Sequence, residues 1–437
     1  MSPRTHLDGT PRQARIDGFT HGGEGVARID GKAVFVPGAL PDETVTLEVV
    51  DDRKRWARAR LLEVVEPSPD RVEPPCPYVP ECGGCDLQHA SVDAQRRLKT
   101  RVVTEQLTRL GRLEDPPVEP CQAVGPATGY RMQARLHADD EGRLGFHRAG
   151  SDEVVAVDTC LVLREETQAL RETVGDATGA DEVTVRAHRD RAVATIAPGP
   201  GPLELPDGTF DLRLEQPDGT AVAMRGTGDV TVEVAGVELT VPADAFFQVG
   251  PDAAAALVTH VLEAVAGTAG DGSDGSDGSD GSDGSDGLEI WDLYAGVGLF
   301  SLPLAGAGGR VLAVEGHAAG ANAAADNAAA NGLDVEVVTG EVGRVLGRIR
   351  RGEDPRPRPD VVVLDPPRTG AGERTVGDLL ALAPRRIVYV ACDPAALARD
   401  ANHLVTGGYR LHRAVPLDLF PMTHHVEVVA TFDAQMV

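Results

Sequence analysis

The sequence predicts a multidomain chain in three parts: a small N-terminal β-barrel, a central α+β domain and a C-terminal α/β domain of the doubly wound type. Three observations predict it. Short β-branched runs split by glycine turns fill residues 11–66, and a thiol cluster followed by further short strands fills residues 67–240. Residues 241–437 alternate apolar strands with Ala-rich helices. At 437 residues the chain can bury two or three cores.

In the first part, Gly22–Arg28, Ala33–Pro41 and Thr44–Val50 read as strand-like runs with tight glycine turns, closing on Glu66–Val72. That spacing suits a small barrel. Formal charge is −26, and Lys32, Lys54 and Lys99 are the only lysines. Diffuse acid with almost all positive charge as arginine is the composition of a halophile, in which molar salt screens self-repulsion; a haloarchaeal origin is expected. Residues 1–110 carry 16 Lys+Arg against 17 Asp+Glu and are nearly neutral in this acidic chain. Arg53, Lys54, Arg55, Arg58 and Arg60, and then Arg96, Arg97, Lys99 and Arg101, are expected to meet phosphates rather than form solvated faces.

The second part opens on Cys76, Cys82 and Cys85 in a C-x5-C-x2-C pattern wrapped around glycines. Three thiols so close can converge on one metal centre, with Cys121 or Cys160 as the fourth ligand. Zinc favours paired C-x2-C knuckles, and one such pair is present; iron–sulfur clusters take four cysteines, one often distant. Residues 88–113 read as a helix with Leu98, Val102, Leu107 and Leu110 on one side. It is expected to pack on the C-terminal domain. No run of about 18 apolar residues occurs. With no apolar leader at the start, a cytoplasmic, soluble monomer is expected.

The third part begins at Phe246-Phe247-Gln248 and an Ala-rich helix over Asp252–Val265. Residues 271–287 repeat Asp, Gly and Ser without an apolar side chain and are expected to stay disordered. Leu288–Gly298 then reads as a strand and a glycine turn, carrying Tyr294, Gly296 and Gly298 into a helix over Leu299–Ala305. A second strand ends at Glu315, placed to bind ribose hydroxyls. Ser301 stands where a dinucleotide fold would have its third glycine, which favours S-adenosylmethionine. Asn327 and Asn331-Gly332 close the next helix, and Glu341 follows the third strand at an adenine-contact position.

Chemistry concentrates at the ends of the last strands. Ile387–Ala391 delivers Cys392 to a strand tip before Asp393-Pro394, and a further strand ends at Asp365-Pro366-Pro367-Arg368. Phe420–Glu427 sets His424, His425 and a carboxylate before another strand. A free thiol is usually a buried core residue, but thiol and carboxylates on neighbouring strand ends make a nucleophile-and-base set.

Together, Asp365–Gly370, Tyr389–Pro394 and Phe420–Glu427, in that order, resemble the RNA (uracil-C5)-methyltransferases, which make 5-methyluridine in ribosomal or transfer RNA. The likeness spans nearly the whole chain, and residues 11–66 resemble a TRAM domain, an OB-like RNA-binding barrel. The resemblance implies a Rossmann-like methyltransferase domain over 241–437, an iron–sulfur domain over 67–240, and a 4Fe-4S cluster on Cys76, Cys82, Cys85 and Cys160. It implies Cys392 as the nucleophile on uracil C6, Glu427 as the base that removes the C5 proton, and Asp365 as the uracil contact. Gln248, Tyr294, Gly296, Gly298, Glu315, Glu341 and Asp365 would line the S-adenosyl-L-methionine site, with Phe246 or Phe247 stacking on the flipped base. Departures are Ala295 in place of a cysteine, and Leu299 in place of a polar residue. RNA is the expected partner, 23S rRNA ahead of the tRNA T-loop. Two other readings stand beside this one: a radical iron–sulfur RNA modifier, and a non-catalytic RNA-binding protein on a methyltransferase scaffold. The C-x5-C-x2-C spacing counts against the first, and the complete set of thiol, base and cofactor acid against the second.

Overall fold

A computed structural model describes residues 7–79, 81–270 and 287–435; of the expected disordered stretch 271–287, all but Gly287 lies outside the described residues. The chain begins with β1 (Arg12–Phe19), β2 (Glu24–Ile29), β3 (Lys32–Pro37), β4 (Thr44–Asp52) and β5 (Trp56–Glu66), which close in the order β1-β2-β3-β5-β4. Alternation along these strands turns Ile16, Ala27, Val34, Val36, Val45 and Leu47 inward as the barrel core. Fully buried Glu43 accepts from the Leu40 amide at 2.8 Å and pairs with Arg71 at 2.5 Å, tying the segment that leaves β5 to the barrel. Removing one partner of so buried a pair costs about 3–5 kcal/mol.

Next come α1 (Val92–Arg109), β6 (Gln122–Ala123), β7 (Gln133–Ala138), β8 (Leu144–His147), β9 (Val154–Ala156), α2 (Glu165–Val174), β10 (Ala180–His188), β11 (Arg191–Pro198), β12 (Asp211–Glu215), β13 (Ala221–Arg225), β14 (Val230–Val234) and β15 (Val237–Val241). Seven of them form a mostly antiparallel sheet, β13-β12-β11-β10-β7-β8-β9, covered by α2. The segment 67–240 does not stay in one layer. Helix α1, capped by the Ser91 side chain, packs on the C-terminal domain, and β6 pairs in parallel with its outermost strand. The β14–β15 hairpin joins that domain's core as well: the Asn327 side chain donates to the Thr240 carbonyl and accepts from the Thr240 amide at 2.9 Å. Asn327 is therefore a staple between layers rather than a simple helix end.

The remaining elements are α3 (Pro251–Gly270), β16 (Glu289–Leu293), α4 (Ser301–Gly306), β17 (Arg310–Glu315), α5 (Ala318–Ala330), β18 (Val335–Thr339), α6 (Val342–Arg350), β19 (Val361–Leu364), α7 (Gly372–Leu382), β20 (Arg386–Ala391), α8 (Pro394–Thr406), β21 (Tyr409–Asp418) and β22 (Glu427–Ala434). They build an eight-stranded sheet in the order β18-β17-β16-β19-β20-β22-β21-β6. Strands β16 to β20 run parallel, while β22 runs antiparallel to both neighbours. Their near-continuous Val/Ile/Leu runs fit strands covered on both faces. Strand order reverses between β16 and β19, which opens a crevice at their carboxyl ends. Among the described residues, no helix is long and apolar enough to cross a membrane.

Candidate active site

The crevice is lined first by the turn after β16. Gly296 and Gly298 hold φ of +57° and +92°, in the left-handed region open to glycine. A Cβ on Gly298 would lie 2.4 Å from Leu302, whereas one on Gly296 would meet open space, so the backbone at Gly296 is free for a ligand to approach. Tyr294 also sits at positive φ, +65°, a strained conformation for an aromatic residue and one held by the surrounding turn. Glu315, at the end of β17, accepts from the Gly296 amide at 2.8 Å and the His317 amide at 2.6 Å. Its carboxylate thus shapes the glycine turn, leaving its other lone pairs for hydroxyl donors.

Below the turn, Asp292 is fully buried and accepts from the Ser301 hydroxyl at 2.5 Å. Burial pushes its pKa up to about 7. Sequence reading gave Ser301 meaning only as a missing glycine; here it is this carboxyl's partner. Asp365 follows β19, where Leu364 is in register with Leu293 of β16 and Tyr389 of β20. Gln248 donates to Asp365 at 3.4 Å. Burial first, then the charge of Asp292, push the Asp365 carboxyl upward.

Cys392 and Glu427 meet by strand register. Ala391 pairs with Val428, so the next residue out on each strand, Cys392 and Glu427, share the sheet edge. Asp393 caps α8 by accepting from the Ala396 amide at 2.6 Å, and Pro394 follows at the first helical position, which turns the chain sharply after the thiol. Burial, then Glu427 and Asp365, push the Cys392 thiol up to about 11, while the Arg368 guanidinium pulls it down. Glu427 is buried and its pKa is raised, by burial first and then by Asp365, again with Arg368 opposing. Thiol, two carboxyls and one exposed guanidinium therefore share one electrostatic pocket.

The segment between β21 and β22 is held from outside the catalytic domain. The Leu87 amide donates to the Met422 carbonyl at 3.0 Å, and the Tyr130 hydroxyl donates to the Pro421 carbonyl at 2.9 Å. Asp86 accepts from the His424 amide at 2.8 Å and hydrogen-bonds its ring Nδ1. A Cβ on Gly23, in the barrel's first turn, would lie 2.9 Å from His424, so only glycine lets barrel and segment approach this closely. His425 stacks at 4.2 Å on His424 and is pushed down to about 4, by burial first and then by His424 and Arg368, which keeps it neutral.

Cys76, Cys82, Cys85 and Cys160 line one cavity with Tyr78, Phe146 and Val162. Burial pushes the Cys85 thiol up to about 12, and its three thiol neighbours add to the effect. Cys121 is elsewhere, buried in the catalytic core with its amide donating to Thr100. Among the described residues, no three His, Cys, Asp or Glu side chains are set to grip a metal ion.

One sequence expectation, that for Lys99, meets a different arrangement, and two others are narrowed. Glu341 is exposed and caps α6 through the Gly343 and Arg344 amides, a bond that any adenine contact would share. Phe247 is 8 % exposed and packs in the core, leaving Phe246, 75 % exposed, as the available aromatic face. Lys99 meets no phosphate: it is 2 % exposed and pairs with Asp418. The Arg58, Arg60, Arg97 and Arg101 guanidinia remain largely exposed at the surface, paired to Glu24, Glu48, Asp70 and Glu105.

Two family descriptions match the chain: tRNA (uracil-5-)-methyltransferase over residues 279–434, and the TRAM domain over residues 8–62. An uncharacterized RNA methyltransferase of Streptomyces avermitilis is 37% identical, over 97% of this chain and 98% of its own. A 23S rRNA (uracil(1939)-C(5))-methyltransferase, RlmD, of Shewanella sp. (strain ANA-3) is 32% identical, over 94% of this chain and 93% of its own. Among solved structures, the tRNA (uracil-54, C5)-methyltransferase of Pyrococcus abyssi with S-adenosyl-L-homocysteine superposes with a TM-score of 0.74 at 25% identity, covering 96% of this chain and 99% of that one.

Proposed function

The chain belongs to the RNA (uracil-5)-methyltransferase family, and from that premise we propose how its residues divide the reaction and which RNA it serves. The activity is S-adenosylmethionine-dependent methylation of uracil C5 in RNA. The observation that carries the assignment of roles is the convergence of Cys392, Glu427, Asp365 and Arg368 at the crevice of the switch point.

Uracil C5 is too weak a nucleophile to take a methyl group unaided. The Cys392 sulfur bonds to C6 and gives up its proton to water; the C5–C6 π electrons move toward O4. C5 then attacks the sulfonium methyl, the methyl–sulfur bond breaks, and S-adenosylhomocysteine leaves. Glu427 takes the C5 proton, the double bond re-forms, and the C6–sulfur bond breaks to free Cys392. A carboxyl with raised pKa is a stronger base once ionised, which suits Glu427. Asp365, also raised, can hold a proton toward O4 while Gln248 fixes its orientation. Gln248, Tyr294, Gly296, Gly298, Glu315 and Glu341 frame the cofactor, and Phe246 offers the stacking face for the flipped base.

The four thiols that line the cysteine cavity are the donor set that a 4Fe-4S cluster would take, although they do not converge on the single point that one metal ion would need. A single zinc ion would draw its sulfurs to about 2.3 Å from one centre, whereas a cluster takes four cysteines around a larger core. In an apolar cavity only a cationic centre would keep thiols with pKa values raised this far ionised. When bound, such a cluster supplies cross-linking of the 76–85 loop to Cys160, and the methyl transfer is routed entirely through Cys392 and Glu427.

The RNA is 23S rRNA in this reading, supported by full-length relatives such as the Shewanella enzyme at 32% identity. A tRNA uridine is the second reading, favoured by the Pyrococcus abyssi structure. The protein works as a cytoplasmic monomer, and its charge of −26 adapts it to molar salt. Mapping 5-methyluridine by mass spectrometry in RNA from a deletion strain decides the substrate. Loss of one rRNA site is expected; loss at the tRNA T-loop alone would overturn the rRNA assignment.

A further inference from the structure

The loop from Asp418 to Val426 joins two positions that face each other, since Leu417 and Glu427 are the last pair of the β21–β22 ladder. Whatever fixes this loop fixes where Glu427 points. Much of its support comes from one face of α1, more than 300 residues earlier in the chain. The Lys99 ammonium donates to Asp418 at 2.5 Å and to the Phe420 carbonyl at 3.0 Å. Its side chain is 2 % exposed and that of Asp418 is 0 % exposed. Arg96 stands 3.5 Å from the second Asp418 oxygen. One turn earlier on α1, Gln95 accepts from the Met422 amide at 2.7 Å and donates to the Leu87 and Ala90 carbonyls at 3.1 and 2.9 Å. Met422 itself holds φ of +68°, a conformation that needs such a frame.

Residue choice supports a specific demand at this point. Arginine supplies nearly all the positive charge of the chain, with lysine at three positions. A buried site that must bond one carboxylate oxygen and one carbonyl at a single point suits a compact ammonium better than a planar fork. We propose that Lys99 and Gln95 are positioning residues for turnover: by clamping Asp418, Phe420 and Met422 they hold the loop so that Glu427 stays beside Cys392. The proposal rests on the reading of Glu427 as the base.

A displaced base slows release of the enzyme from the methylated nucleotide, so the clamp predicts a distinctive kinetic signature. In Lys99→Met and Gln95→Ala, kcat is expected to fall by about 10²-fold, the cost of an ångström-scale misplacement. KM for RNA and the affinity for S-adenosylmethionine stay within about twofold of wild type by the same argument, since the Lys99 and Gln95 side chains are buried against the loop rather than offered to either ligand. A denaturation-stable protein–RNA adduct accumulates during turnover. Should Lys99→Met fail to fold, the paired Lys99→Met/Asp418→Leu variant removes both buried charges together, a change such sites tolerate; it is expected to fold and still turn over slowly with adduct present. Wild-type kcat in any folded variant overturns the proposal. A raised KM with unchanged kcat overturns it too, and returns Lys99 to RNA binding. A fall in kcat without adduct, in variants of an enzyme whose Glu427→Gln form does trap adduct, likewise overturns it. If Glu427→Gln itself traps none, the base assignment fails instead, and the kcat effect of Lys99→Met is then read without it.

Discussion

Two regions of this protein gather thiol chemistry, and they do it in opposite surroundings. Cys392 stands at a sheet edge with two carboxyls and a guanidinium as electrostatic neighbours. Cys76, Cys82, Cys85 and Cys160 face one another across an apolar cavity. Burial raises the pKa at Cys392 as it does at Cys82, Cys85 and Cys160, but at Cys392 the next causes are two carboxyls, whereas the charges acting on the other three are mainly those of one another's thiols, with Arg131 beside Cys160. In the proposed division of roles, the thiol that reacts stands beside groups that can move protons, and the thiols that ligate stand beside one another at a dry wall.

The most severe way to break this comparison is to remove the thiol proposed to react. Cys392→Ala is expected to abolish methylation while leaving S-adenosylmethionine binding intact, as read by calorimetry beside a methyl-transfer assay. Turnover above background would remove Cys392 from the mechanism. Glu427→Gln is the companion test, with the opposite accumulation: methyl transfer proceeds once and stalls as a covalent protein–RNA adduct on a denaturing gel. Lost turnover without an adduct would shift base duty to water or a histidine.

The thiols proposed to ligate should break differently. Cys82→Ser and Cys160→Ser are expected to lose the visible chromophore and the acid-labile sulfide, whereas Cys121→Ser keeps both. The loop they anchor runs through Asp86 and Leu87 into His424 and Met422, so these variants are also expected to loosen the catalytic loop. A full cluster in Cys160→Ser would refute the ligand set. A subtler probe is alkylation of Cys392 in RNA-free enzyme. Its rate is expected to rise with pH toward a midpoint of about 11, and Arg368→Ala should move that midpoint higher, because Arg368 favours the thiolate. A midpoint at or below that of an ordinary thiol would contradict the burial of this site.

Much of this was legible in the sequence because it is local. A run of four β-branched or aromatic residues ending in Ala-Cys-Asp-Pro announces a strand tip, and Asp365 and Glu427 mark neighbouring tips in the same way. The glycine turn and Glu315 follow the same logic. Contacts across the chain were not legible. Lys99 looked like a phosphate contact because it sits among arginines, but a helix has two faces, and this residue is on the buried one. Phe246 and Phe247 are adjacent, and only the fold decides which is core. The loop that carries Cys82 and Cys85 leads into Asp86 and Leu87, which bond the segment between β21 and β22, a contact that no local pattern announces.

The smallest expected effect concerns Asp292, the buried carboxyl whose charge bears on Asp365. Its ordinary pKa is 3.8 and burial holds it near 7, so between those values the folded protein keeps a proton that the unfolded chain has lost. Stability therefore falls as pH rises through that window, in contrast to an ion-paired carboxylate, for which it would rise. Asp292→Asn keeps an acceptor for the Ser301 hydroxyl but cannot ionise. The difference in unfolding free energy, variant minus wild type, is expected to grow with pH from about 4 to about 7, by at least about 1 kcal/mol, since each unit of pKa shift carries 1.36 kcal/mol. The slope is the test rather than the absolute level, because the amide leaves a buried donor where Asp292 has an unpartnered oxygen. Parallel curves would mean that Asp292 ionises normally. Its charge would then be present from about pH 4 upward and would add to the burial that pushes Asp365 up.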